Sequence, residues 1–165
     1  GGAPGGEPGN VVVVGGGVVG ENAAIIATGM GANEFDRETV TRRLSIRLAG
    51  EAVTIGQALG YELETINKFA PNEWVKGMDG DEEMINIMEN TMEESAVGRS
   101  DASRPSMAQD IAKKRRTEIH AINGFVVEKA KGIGLEAPAN AKLVDAVHQV
   151  ETGAEKQSLD RVASI

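Results

Sequence analysis

The chain has 165 residues, 41% of them apolar but only 3% aromatic, and a net charge of −8 at pH 7. That acidic balance excludes nucleic acid as the main partner, because phosphate backbones are bound by neutralising them with Lys and Arg. No cysteine is present, so disulfide and thiol chemistry are excluded, and no apolar run approaches the roughly 20 residues that span a bilayer.

More than half of the 21 glycines fall within residues 1–31. After a glycine-rich entry, Val11 to Val14 form a short apolar run, the pattern of a strand buried on both faces. Gly15-Gly16-Gly17-Val18-Val19-Gly20 follows at once, and small and apolar residues then continue at helical spacing to Met30. This strand–turn–helix order is the setting in which G-x-G-x-x-G carries meaning. Gly15 permits the tight turn, Gly17 lets the backbone approach a pyrophosphate, and Gly20 allows close helix–strand packing. Asp36 stands near the distance expected of an acidic ribose contact. The stretch from Ala32 to Phe35 is nevertheless too short for the second strand, and no further βαβ unit follows. Residues 1–36 are therefore read as a partial dinucleotide-binding segment, or residues 11–31 as an isolated strand and helix that bind nothing.

From Arg37 the pattern is helical, and residues 37–165 are read as one mainly α domain. Val40, Leu44, Leu48, Ala52, Ile55 and Leu59 recur every three or four residues, with Ile46, Ala49 and Val53 widening the stripe and Gly60 as the stop. Gly50 and Gly56 weaken an isolated helix, so close helix–helix contact is their expected role. Tyr61 to Gly80 reads as a connector anchored by Leu63, Ile66, Phe69 and Trp74. A helix beginning at Asp81 carries Glu82 and Glu83 in its first turn and a stripe of Met84, Met88 and Met92.

Pro105 and Ser106 open a short helix anchored by Ile111, and four cations, Lys113 to Arg116, form the turn after it. Such a run is commonly just solvated; its sharper reading is attraction of an anion. Thr117 is the expected N-cap of a helix over 117–131, with Glu118 its first residue and Asn123-Gly124 an interruption midway. A carboxylate at Glu118 complements the helix dipole, and is also aimed where a ligand meets it. Asn140 is expected to cap the last helix, striped by Leu143, Val147 and Val150 and closed by Gly153, before a frayed polar tail from Ala154. Neither His120 nor His148 has a second ligand at metal-binding sequence spacing, so no metal site is expected.

Ser106-Met107-x-Gln109-Asp110-Ile111, Arg115-Arg116-Thr117-Glu118-Ile119 and Ala121-Ile122-Asn123-Gly124-Phe125-Val126-Val127 together resemble the C-terminal helical domain of ketopantoate reductases. The likeness runs on through Gly134 to Asn140 and covers about residues 37–153. It implies NADPH-dependent reduction of 2-dehydropantoate to pantoate, with Glu118 acting on the substrate and Ser106 binding it. Ser103 joins the substrate contacts at a position where asparagine is common, and His120 replaces the family's usual aspartate. The family's proton-donor lysine lies on a helix that precedes the matching region.

Residues 1–36 instead resemble the nucleotide-binding segment of alanine dehydrogenases, through Gly-Gly-x-Pro-Gly and Val11-Val12-Val13-Val14-Gly15-Gly16-Gly17-Val18-Val19-Gly20-x-Asn22-Ala23-Ala24. The two resemblances imply NADP, or NAD, as cofactor and a small keto or hydroxy acid as substrate; charge and hydropathy add that no nucleic-acid or membrane partner is expected. A homodimer is compatible with them, and the cytoplasm is the default location. Two further readings stay open: a non-catalytic helical dimerisation or interaction module, and an alanine-dehydrogenase-like nicotinamide oxidoreductase.

Overall fold

The computed structural model describes residues 39–96, 110–111, 113 and 115–165, and these are mainly α. The helices are α1 (Thr39–Ala58), α2 (Pro71–Met78), α3 (Glu82–Ala96), α4 (Ile119–Gly132), α5 (Pro138–Glu151) and α6 (Leu159–Ala163). Among the described residues, no helix is long and apolar enough to cross a membrane. The expected strand–turn–helix of residues 1–36, with Gly15, Gly17, Gly20 and Asp36, lies outside the described residues, as do Ser103 and Ser106.

Helix α1 is the axis, touching all five of the others. Its stripe is wide enough to be enclosed on nearly every side: Leu44, Leu48 and the polar Ser45 and Glu51 are all buried. One flank joins Leu44 and Leu48 to Ile119, Leu143, Val147 and Val162. The other joins Ile46, Ala49 and Val53 to Phe69, Trp74, Ile85 and Met88. Arg47 in the middle and Val40 at the start are exposed. Leu48 has no exposed surface, so Leu48→Ala is expected to cost about 2–5 kcal/mol in a urea titration, with the spread set by how far the cavity collapses. A midpoint that barely moved would place Leu48 outside the core.

The expected close contact at Gly50 is present. A Cβ built there lies 2.4 Å from the Cβ of Met78, a separation that real carbons do not reach, so any side chain pushes α2 away from α1. Gly77 makes the reciprocal approach, its added Cβ lying 2.9 Å from Ile46 Cγ2 and 3.1 Å from Met88 Sδ. The stretch read as a connector thus contains helix α2, which the sequence did not announce. Eight residues are too few to be stable alone, and packing on α1 forms the helix. Local signals do start it: Pro71 occupies the first turn, and the Glu73 carboxylate accepts from the Ala70 amide at 2.6 Å. Before it, Ile66 and Phe69 exchange two backbone hydrogen bonds of 2.9 Å across a tight turn with positive φ at Asn67 and Lys68. Trp74 anchors as expected, fully buried, with its indole N–H donating to the Ile66 carbonyl at 3.3 Å.

Asp81 starts α3 by accepting from the Met84 amide at 3.0 Å, and Met88 is the buried centre of the methionine stripe. Arg43 ties α1 to α3 through Glu89 at 3.0 Å and Glu82 at 3.4 Å. Its guanidinium is held above its already high ordinary range, chiefly by the hydrogen bond it donates to Glu89.

Three expectations are corrected. Helix α4 runs unbroken through Asn123 and Gly124, because Asn123 is buried and donates to Asn140 Oδ1 at 2.8 Å instead of competing for the backbone. Asn140 is not a cap but an interior residue of α5, turned into the core. Past Gly153, which ends α5 with φ +71°, the chain does not fray: it turns back as α6, and Val162 enters the core beside Leu44 and Leu143.

Candidate functional site

Helix α4 begins one residue later than expected, at Ile119, which puts Glu118 at its N-cap. The Glu118 carbonyl accepts from the amides of Ala121 at 2.9 Å and Ile122 at 3.1 Å, closing the first turn. Its carboxylate makes no capping bond and is exposed. The reason lies on either side of it. Ile119 is fully buried in the core. Thr117 is buried too, and its amide and hydroxyl both donate to Glu151 Oε1 of α5, each at 2.6 Å. The Thr117 hydroxyl also accepts from the Ile119 amide at 3.4 Å, so it still serves the helix start as expected. With its two neighbours fixed inward, Glu118 is left facing solvent at the dipole's positive end, free to meet a ligand.

The described residues of the cation run follow a turn, with the Lys113 and Arg115 amides bonded to the Asp110 carbonyl at 3.1 and 2.8 Å. Lys113, Arg115 and Arg116 are exposed, and Arg116 leads directly into Thr117-Glu118. Positive charge therefore stands immediately before the candidate carboxylate. Ile111 packs on the core, which keeps this turn close to the body of the domain. Whether Ser106 and Ser103 join Glu118 in one cavity lies outside the described residues.

A cleft of about 450 Å³ is lined by Arg47, Glu51, Thr54, Met78, Pro138 and Lys142 among others. It lies at the start of α5, whereas Glu118 adjoins the end of α5 through Thr117 and Glu151. Thirteen helical steps of about 1.5 Å separate those ends by roughly 20 Å, so this cleft is not Glu118's substrate site.

Sequence reasoning missed two polar groupings. The Glu51 carboxylate, buried, accepts from the Ala139 and Asn140 amides at 2.7 and 3.0 Å and from Asn140 Nδ2 at 2.7 Å. It thus caps α5 from 88 residues away. The other is His120, His148 and Glu151, whose ligand-type atoms lie within 4.8 Å of one another. The i, i+3 spacing of His148 and Glu151 was the available signal; His120 reaches them only through the packing of α4 on α5.

What the described residues define is a helical domain that presents one carboxylate at a helix start beside a basic turn. A family model described as "Ketopantoate reductase PanE/ApbA C terminal" matches residues 18–151. The chain belongs to the ketopantoate reductase family, over that family's C-terminal domain. Among curated relatives, a 2-dehydropantoate 2-reductase of Yersinia pestis is 24% identical over 110 residues, covering 67% of this chain and 29% of that protein. The protein of the same name in Archaeoglobus fulgidus is 39% identical over 51 residues, or 31% of this chain and 17% of that protein. An alanine dehydrogenase of Methanococcus maripaludis is 60% identical over 45 residues, which is 27% of this chain and 12% of the relative. The matched stretches thus span under a third of each relative.

Proposed function

We propose that this chain carries the substrate side of a 2-dehydropantoate 2-reductase, the NADPH-dependent enzyme that makes pantoate for pantothenate and coenzyme A, in the cytoplasm. The observation that carries this reading is the exposed Glu118 carboxylate, set at a helix start by the burial of Thr117 and Ile119, within the family's most distinctive motif. Glu118 would repel the substrate carboxylate, so its place is beside the hydroxyl or carbonyl end, as a hydrogen-bond acceptor for the group being reduced. Lys113, Arg115 and Arg116 offset the negative charge and draw in an anion, and Ser106 is the partner proposed for the substrate carboxylate. The described residues contain no sheet and no strand–glycine turn, so they form no dinucleotide cradle. Cofactor binding is assigned to Gly15, Gly17, Gly20 and Asp36, and no step is derived through it.

A substrate half-site of this kind should bind pantoate in the millimolar range, equivalent to about −4 kcal/mol. Chemical-shift mapping is expected to perturb amides around Thr117–Ile122, and Glu118→Gln and Ser106→Ala should each weaken the titration. Perturbation elsewhere, or an unchanged Glu118→Gln titration, would remove Glu118 from the site. That outcome would favour the interaction-module reading, which the exposed Phe125, Ile133 and Leu135 support.

A further inference from the structure

Two imidazoles and a carboxylate meet where the start of α4 packs on the end of α5. The rings of His120 and His148 are 5.8 Å apart between centroids and inclined at 70°. His148 Nδ1 lies 3.8 Å from Glu151 Oε2. Both histidines are exposed, while the Glu151 side chain is only 6% exposed.

We propose that His120, His148 and Glu151 form a binding site for a divalent transition ion of the zinc class. The donor set is two imidazole nitrogens and one carboxylate oxygen, which suits Zn²⁺ and its borderline neighbours and disfavours the oxygen-seeking Mg²⁺ and Ca²⁺. The carboxylate is already oriented. Its Oε1 takes both Thr117 hydrogen bonds, which leaves Oε2 to face the imidazoles. Outer-shell bonds of this kind hold a metal ligand in place before the ion arrives. Metal–ligand bonds of about 2.0–2.1 Å put tetrahedral ligands roughly 3.3 Å apart. The atoms here, all within 4.8 Å, close to that spacing by rotation of the two exposed histidine side chains. Three protein ligands leave a fourth position open to water or an anion. The bound ion clamps the first turn of α4 to the last turn of α5, beside Glu118. The site uses neither the pantoate reading nor the cofactor, and stands independently of both.

The test uses the full chain stripped of metal and titrated with ZnCl₂ by calorimetry in a non-coordinating buffer. Co²⁺ provides a spectroscopic probe of coordination. One equivalent of Zn²⁺ should bind, with a dissociation constant on the order of 10 µM or tighter. Zn²⁺ should raise the unfolding temperature by mass action. His120→Ala and His148→Ala, both at exposed positions, should each weaken binding by about a hundredfold and abolish the Zn²⁺-induced rise, with circular dichroism unchanged. Thr117→Val should weaken it about tenfold through the loosened carboxylate. Absence of binding by the unmodified chain, or alanine variants that bind Zn²⁺ as well as it does, would overturn the proposal and leave His148–Glu151 as an ion pair alone.

Discussion

Replacing Glu51 by alanine is expected to lower stability by about 3–5 kcal/mol, comparable to removing one partner of a buried charged pair. The carboxylate is buried and accepts three hydrogen bonds, from the Ala139 and Asn140 amides and from Asn140 Nδ2. Helix α5 has no local substitute, since its N-cap residue, Ala137, has no side chain that could accept from those amides. Alanine strands two helix-start amides and half-frees Asn140, whose Nδ2 keeps only its 3.3 Å bond to the Leu48 carbonyl while its Oδ1 still accepts from Asn123. Bonds to a charged acceptor are worth about 1.5–3 kcal/mol each, but they are not additive. The adjoining cleft also admits water to the vacated space, which holds the loss below their simple sum. Glu51→Gln should fall between, because its amide NH₂ opposes one of the donors. Urea denaturation at neutral pH measures both, and a loss under about 1 kcal/mol for the alanine variant would show that water replaces the carboxylate freely.

Trp74→Ala is expected to cost a similar amount, about 3–5 kcal/mol, with a fall in melting temperature of roughly 6–20 °C. The ring is fully buried between α1 and α3, edge-on to Phe69 at 5.6 Å and 82°. Three contributions go with it: apolar area, the aromatic pair, and the hydrogen bond to Ile66. The bond to Ile66 also braces the tight turn at Asn67 and Lys68, so α2 and the turn before it should loosen together. Trp74→Phe keeps most of the area and should lose much less. Trp74 is the single tryptophan, so its fluorescence follows unfolding of the unmodified chain, while circular dichroism serves for the variants. A melting temperature within a few degrees of the original would mean that Trp74 is a cover over the core and not an anchor in it.

The sequence by itself determined the elements whose signal is local and long. The twenty residues of α1 carry their own apolar period, the acidic start of α3 and its methionine stripe are contiguous, and Gly153 marks an end wherever the helix lies. Gly50 announced a close contact by being costly in a helix. The motif that leads to Glu118 was legible for the same reason, being one unbroken stretch. Tertiary structure decided the rest. Helices α2 and α6 are too short to exist without the core that Trp74 and Val162 enter, so no local pattern could establish them. Asn140 looked like a cap because asparagine usually is one. It lies inside the helix because Glu51, 89 residues earlier, takes over the capping and holds its side chain. His120 meets His148 and Glu151 only because α4 packs on α5. Periodicity fixes which face of a helix is apolar, but not which polar groups on two helices come to stand opposite one another. That depends on the angle and register at which the helices pack, and only the assembled core sets them.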